Sequence, residues 1–484
     1  MPDDDRTIPT TVQIATGDAF AKATPRLTRT RLAAICCVGL ITAMHDSPFS
    51  FAQVADTDPP QTASTPAVVN NDTGADTDTD TDTSASEASE DALVLNMRGS
   101  QEAQQPPTPE SPLVLAFEQS IAELERLDGP YATALPEQLL GLGVALQKLD
   151  RHEEAIELFK RGAHLARING GLYTSEQLAL IRREIQSHLV LGNFNEVDAR
   201  QEYLYRVERR SLANTEASAY ALLEQANWQQ QAFMAGIGEE EKLPGRLIVM
   251  WDLYRLSMTE MMDHYGETSP ELRKPLLGML KTQYLIAGHQ SFNPQESKRD
   301  PVYVMQTGDR YRKGETVLKA LAELSTLNKA PVEQIIDDKL ALGDWAWWFN
   351  KRADALAYYD QVRAFVIESE DPTAAGYLTS VLAQPLPLPN IKGIQTLPTP
   401  QPDDGGELVV AFQVTDTGRT INIERLREPA VEEEEKAIDR LLRALRDVRF
   451  RPRFEESLPV PSDTMLWSWN PEAWRDKPLS GNEQ

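Results

Sequence analysis

The stretch ELVVAFQVTDTGRTINIER, residues 407–425, decides the fold of the C-terminal part of this chain. Apolar and polar side chains alternate along ELVVAFQVT, which is the pattern of a strand with one buried face. The tripeptide DTG at 416–418 follows and supplies a tight turn, because Gly can adopt positive φ. Alternation then resumes through Ile421 and Ile423. The pattern therefore predicts a β-hairpin.

A helix and further extended segments are predicted after this hairpin. Four glutamates at 432–435 open the helix, where its N-terminal dipole favours negative charge. Apolar residues at helical spacing, including Ile438 and Leu441, then mark a buried face up to about residue 447. VRFRPRF at 448–454 and a closing strand through 465–469 complete the pattern. Residues 405–470 are thus expected to form a small α+β (ββαβ) domain.

This order of elements resembles the C-terminal domain of the TonB family of envelope proteins. The resemblance implies that a partner peptide adds a strand to an exposed sheet edge. One departure from the family pattern is that Ser457-Leu458 stands where the family has Gly before Pro-Val. The matching residues are Phe412, Val414, Gly418, Ile421, Asn422, Ile423, Phe450, Pro452, Pro459 and Val460.

A helical region is predicted over residues 111–383, and its best segment resembles a tetratricopeptide repeat. Leu142 and Gly143 match the Leu-Gly pair of the family's first helix, and Ala155 and Phe159 match the small and aromatic positions of its second. Gly143 and Ala155 lack bulk, so the two helices can approach closely while Phe159 fills the space beside them.

The same spacing recurs at Leu342, Gly343, Ala355 and Tyr359. Weaker helix pairs are predicted between these two units, at 175–191 with 194–210 and at 216–234 with 243–265. About six such pairs would form an α-solenoid, in which each hairpin buries its face only against its neighbours. The alternative is a compact helical bundle.

The N-terminal 110 residues are predicted to lie outside any folded domain. Residues 1–52 have a basic stretch, a short uncharged apolar run and a small-x-small site ending at Ala52, which indicates a cleaved signal peptide. A retained membrane anchor is the alternative. Residues 53–110 hold twelve acidic residues and one basic residue, so they are predicted to be a disordered acidic linker. The Pro-rich stretch 384–404 is predicted to be a semi-rigid linker, and 471–484 a tail.

Composition limits the possible partners and chemistry. The formal net charge is −26, without a basic stripe, which argues against nucleic acid and anionic lipid surfaces. Cys36 and Cys37 are the only cysteines, and both lie in the apolar run of the signal peptide. The chain lacks phosphate-binding, nucleophile-elbow and H-E-x-x-H motifs. We therefore expect no enzyme activity, cofactor or metal.

Candidate partner-binding residues lie in the last domain. Arg449 and Arg451 alternate with apolar residues, which indicates either a strand with one wet face or a basic strip for an acidic partner. Leu466, Trp467 and Trp469 form the closing strand, whose edge is the predicted docking site for a peptide.

The sequence thus favours a non-enzymatic periplasmic scaffold whose helical repeats and TonB-like domain bind separate envelope proteins or peptides. The alternative is a TonB-type energy transducer that keeps its N-terminal segment as an inner-membrane anchor. Contact with the membrane is expected only in that second case. An enzyme acting on cell-wall material is a third class, for which no catalytic constellation is present.

Overall fold

The computed structural model describes residues 111–239, 242–292, 309–391, 394, 397–401, 408–427 and 431–470. The predicted signal peptide, the acidic stretch 53–110 and the tail 471–484 lie outside these residues. The described chain is mainly helical and carries a small sheet region at its C-terminal end.

Twelve helices precede the sheet region in the described part of the chain, and most helices pack against the next one along the chain. In order, they are α1 (Pro112–Asp128), α2 (Leu135–Gln147), α3 (His152–Gly170), α4 (Glu176–Val190), α5 (Phe194–Ser211), α6 (Glu216–Met234), α7 (Leu243–Tyr265), α8 (Arg273–Phe292), α9 (Arg310–Leu327), α10 (Val332–Trp348), α11 (Arg352–Ser369) and α12 (Pro372–Leu382).

Bulky rings packed on glycines bring neighbouring helices together. A methyl group at Gly143 of α2 would overlap the ring of Phe159 of α3, and one at Gly343 of α10 would overlap Tyr359 of α11. Both rings are fully buried. The Leu-Gly, Ala and aromatic positions therefore lie where the helices cross, and the other members of the two sets are also buried, namely Leu142, Ala155, Leu342 and Ala355.

Three further glycines make the same contact, although no repeat pattern pointed to them. A side chain at Gly141 of α2 would overlap the ring of Phe117 of α1. A side chain at Gly278 of α8 would meet the ring of Tyr254 of α7, and one at Gly314 of α9 would meet Trp345 of α10. In these pairs the spacing between glycine and ring differs from that of the first two, so a search at fixed intervals misses them.

The described residues of the C-terminal part form seven strands and one helix. They are β1 (Leu386–Leu388), β2 (Leu408–Val414), β3 (Thr420–Arg425), α13 (Glu432–Asp447), β4 (Arg449–Arg451), β5 (Arg453–Glu455), β6 (Leu458–Val460) and β7 (Met465–Trp469). We call residues 408–470 the terminal module. A three-stranded antiparallel sheet has the order β3-β2-β7, while β5 pairs with β6 and β1 pairs with β4.

The core of the terminal module lies between the sheet and α13. Val410 and Phe412 of β2 point to the same side as Trp467 and pack with Ile438 and Leu441 of α13. The predicted hairpin forms with Gly418 in its turn at φ 77°.

The described residues of the Pro-rich stretch pack against both the terminal module and the helices. Leu386 and Leu388 of β1 lie opposite Arg451 and Arg449 of β4, and Leu397 is buried in the core of the module. Leu388 is buried among side chains of α10, α11 and α12, so the described part of this stretch is held by both of its neighbours.

None of the helices in the described residues is long and apolar enough to cross a membrane.

We predict that Gly143→Ala destabilises the protein by about 1–3 kcal/mol, because the added methyl group must displace the ring of Phe159. Gly245→Ala in α7 is the matched control. Its methyl group meets no atom within 4 Å, and the gain in helix propensity should stabilise by about 0.5–1 kcal/mol. Urea unfolding followed by circular dichroism measures both changes. Equal effects of the two substitutions would show that close helix approach is unimportant.

Candidate partner-binding site

The terminal module is attached to the last helical hairpin through a buried ion pair. Arg451 of β4 reaches Asp344 of α10, with Nη1 at 3.3 Å from Oδ2 and 3.4 Å from Oδ1. The hydroxyl of Tyr359 in α11 donates to Oδ1 of the same carboxylate at 2.9 Å. All three side chains are buried. One carboxylate thus joins two helices to one strand.

The charged groups at this contact do not stabilise each other strongly. Burial raises the pKa of Asp344, and the nearby Arg451 guanidinium lowers it by less. The 3.3 Å separation is also longer than the roughly 2.7–2.9 Å of a strong charge-assisted hydrogen bond. Since the cost of burying two charges can exceed their attraction, the pair mainly fixes the position of the module.

Further contacts surround the ion pair. The ring of Phe454 in β5 packs edge-on against Tyr359, with centroids 5.1 Å apart. A side chain at Gly418 would overlap the carbonyl oxygen of Phe450 and approach the Trp347 ring nitrogen. Two constraints therefore favour glycine at position 418: its positive φ, and the close approach of the hairpin turn to β4 and α10.

The two arginines of the predicted basic strip are part of this internal contact. Arg451 is only 2% exposed and therefore does not present its charge to an external partner. Arg449 is half-buried and donates through Nη1 to Asn350 Oδ1 at 3.2 Å. Burial lowers the pKa of Arg449. An exposed strip is not formed because β4 is short and pairs with β1.

The closing strand lies at one edge of the three-stranded sheet, as a docking strand must. Trp467 and Trp469 point into the core and are almost fully buried, whereas Leu466 is 48% exposed. Both tryptophans are therefore anchors of the strand, and Leu466 is the one of the three that a partner could contact.

One end of this edge is covered by the chain itself. Gln401 donates its backbone N–H to the carbonyl oxygen of Ser468 at 2.8 Å and forms an isolated antiparallel bridge there. The Trp467 ring nitrogen donates to the carbonyl oxygen of Pro398 at 3.2 Å. Residues 397–401 thus run beside the last part of β7.

Leu466 lies toward the other end of this edge. Successive residues of a strand direct their N–H and C=O groups to opposite sides. Ser468 directs its carbonyl outward to Gln401, so Leu466, two residues earlier, directs its backbone groups outward as well. Within the described residues no strand or bridge partner pairs with Leu466 on that side. Among the described residues, Leu466 is therefore the outward-facing position of β7 that has no strand or bridge partner.

A second concave surface lies among α5, α6 and α7 of the helical part. It encloses about 790 Å³ and is lined by polar residues with an acidic excess, including Glu202, Gln225 and Glu239. Asp198 on its wall is held by Arg246, with 2.6 Å between Oδ2 and Nη2. The described part of the chain holds no cluster of three or more side chains suited to a metal ion.

Neither family models nor curated proteins match this chain. Among solved structures, the crystal structure of BtubC (BKLC) from P. vanneervenii is similar, at 12% identity, with 54% of this chain and 92% of that chain covered. Its TM-score is 0.30, so this likeness supports no conclusion about fold or function.

We predict that Arg451→Met costs about 3–5 kcal/mol of unfolding free energy near neutral pH, because Asp344 stays buried without a counter-ion. Asp344→Asn in the same chain should restore most of the loss, since the amide oxygen still accepts from Tyr359. Denaturant unfolding of the single and double variants measures the coupling.

The deficit of Arg451→Met should also depend on pH. The raised pKa of Asp344 means that its carboxylate binds a proton more readily in the folded state than in the unfolded chain. Losing Arg451 raises that pKa further, so the deficit appears as the pH rises and shrinks as the pH falls. A deficit that is independent of pH would show that lost packing, not the uncompensated carboxylate, is responsible.

Proposed function

We propose that this protein is a non-enzymatic periplasmic scaffold that binds separate envelope proteins or peptides through its helical region and its terminal module. The observation that carries the proposal is the open edge of β7 at Leu466, on a module that is fixed to the helices. Strand addition to such an edge supplies backbone hydrogen bonds, and neighbouring side chains add specificity.

The helical region is proposed to be an α-solenoid of tetratricopeptide-like hairpins. Two observations support this: the helices pack in chain order, and ring-on-glycine contacts recur at Gly143 and Gly343. The groove among α5, α6 and α7 is the proposed site for a first partner. Its acidic excess suits a basic segment of that partner.

The terminal module is proposed to be a TonB-like domain. Its two strands, helix and closing strand follow in the expected order, and Gly418 occupies the hairpin turn. The segment where Ser457-Leu458 departs from the family pattern still forms a hairpin, since Glu455 lies opposite Leu458.

The attachment of the module favours a scaffold over the alternative of an energy transducer. A transducer needs a membrane anchor and an extended linker that reaches across the periplasm. Here β1 pairs with β4, Leu397 is buried in the module and Leu388 is buried among the helices, so these residues cannot serve as an extended linker. A fixed module instead holds two partners at a defined distance.

Strand addition at β7 predicts that Leu466→Pro abolishes binding of the partner while the fold is kept. Proline removes the outward N–H of Leu466 and leaves the hydrogen bonds to β2 in place, as is tolerated on sheet edges. Affinity capture from an envelope extract with quantitative mass spectrometry measures the effect.

Leu466→Thr is the matched control, because it removes the exposed apolar side chain but keeps the N–H. A partner that is lost with Pro and retained with Thr supports strand addition. A partner retained by Leu466→Pro, with the circular dichroism spectrum unchanged, contradicts it.

The proposed location predicts a soluble periplasmic protein that begins at Gln53, after cleavage of residues 1–52. The intact mass of the natively expressed protein, measured after separation of the soluble periplasm from membranes, tests this. A full-length chain recovered with the inner membrane would instead favour the transducer.

A further inference from the structure

A cavity of about 520 Å³ lies beside the buried ion pair, between the helices and the Pro-rich stretch. Its volume is within the range of roughly 300–1,000 Å³ that is usual for small-ligand sites. We call it the joint cavity. Its apolar wall is formed by leucines of α8, α9 and α10, among them Leu277, Leu318 and Leu340.

The polar side of the joint cavity carries three carboxylates, and two of them have cationic partners. Asp338 is held by both terminal nitrogens of Arg273, at 2.6 and 2.9 Å. Asp344 is paired with Arg451.

The third carboxylate, Asp337, accepts hydrogen bonds from the Tyr377 hydroxyl at 2.9 and 3.0 Å and has no ion-pair partner among the described residues. It is solvent-exposed and therefore lies where an entering ligand can reach it. With three carboxylates and two guanidinium groups, the cavity has a formal charge of −1, which favours a ligand with one positive charge.

A second observation points to an acceptor atom on the ligand. Arg451 lines the joint cavity, and its Nε is buried without a hydrogen-bond partner. The ion pair of Arg451 with Asp344 is made through Nη1. A buried guanidinium N–H that is left unsatisfied is unfavourable. An oxygen of a bound molecule would satisfy it.

We propose that the joint cavity binds a peptide N-terminus, with its ammonium group on Asp337, its first carbonyl oxygen on Arg451 and its first side chain against the leucines. A free amino acid fits less well, since its carboxylate would add a negative charge to a cavity that already has a formal charge of −1. An alkylamine lacks the oxygen that Arg451 requires. This inference does not depend on strand addition at Leu466.

Four small probes separate these requirements: leucinamide, leucine, N-acetylleucinamide and 3-methylbutylamine. Leucinamide has both the ammonium and the amide carbonyl, and each other probe either lacks one of them or adds a carboxylate. Isothermal titration calorimetry with the full chain should show leucinamide binding about ten-fold or more tightly than each of the others, as expected for one hydrogen bond to a charged group.

Asp337→Asn should weaken leucinamide binding by about ten-fold, because the amide cannot pair with the ammonium group. It should not change the affinity for N-acetylleucinamide. Asp128→Asn, an exposed carboxylate at the end of α1, is the matched control and should leave all four affinities unchanged.

Three results would overturn the proposal. They are the absence of leucinamide binding, equal binding of leucine, and equal binding of 3-methylbutylamine. An unchanged leucinamide affinity in the Asp337→Asn variant would also reject it, since that variant should fold normally with its exposed side chain.

Discussion

The contact among Arg451, Asp344 and Tyr359 determines how the two parts of this protein are joined. Asp344 receives a hydrogen bond from the Tyr359 hydroxyl and an ion pair from Arg451, and all three groups are removed from water. A buried carboxylate that loses either partner is unfavourable. The module is consequently confined to the position where Arg451 meets this carboxylate.

The same contact distinguishes two corresponding packing positions of the helices. Phe159 and Tyr359 occupy equivalent places, each with its ring on the glycine of the preceding helix. Phe159 has no polar atom. Tyr359 adds a hydroxyl, which reaches Asp344 and helps to place it opposite Arg451. The Tyr359 hydroxyl, which Phe159 lacks, therefore links the last helical hairpin to the ion pair that holds the module.

The sequence predicts the local features of this structure well and its long-range contacts poorly. Periodicity placed the helices at 216–234 and 243–265, where α6 and α7 are found, and alternation with the DTG turn placed the β2–β3 hairpin. These features depend on near neighbours in the chain. The pairing of Arg451 with Asp344 spans 107 positions and leaves no periodic signal.

Composition alone also gave an incomplete account of two segments. Six prolines between 385 and 402 indicate an extended spacer, but Leu388 and Leu397 between them are buried, Leu388 among the helices and Leu397 in the module. Likewise, the alternation of Arg449 and Arg451 with apolar residues is compatible with a wet face, and only the fold shows that Asp344 lies opposite. The role of a side chain that pairs with a carboxylate far away in the sequence can be assigned only from the structure.

The covered end of β7 limits how a partner strand could bind. The backbone N–H of Gln401 already donates to the carbonyl oxygen of Ser468. Among the described residues, an added strand therefore has Leu466 as its free hydrogen-bonding position unless residues 397–401 move away from β7. Displacement of residues 397–401 from β7 would expose Leu397, which is buried in the module core. It would also break the hydrogen bond from the Trp467 ring nitrogen to the carbonyl oxygen of Pro398. A short strand contributes few backbone hydrogen bonds, so a partner confined to Leu466 depends strongly on the N–H and C=O of this residue, and the partner's own side chains supply the remaining affinity. A partner that displaces residues 397–401 gains a longer edge but loses the burial of Leu397. Specificity therefore depends mainly on the partner's side chains when it pairs at Leu466 alone. It depends more on the length of the partner's strand when residues 397–401 are displaced.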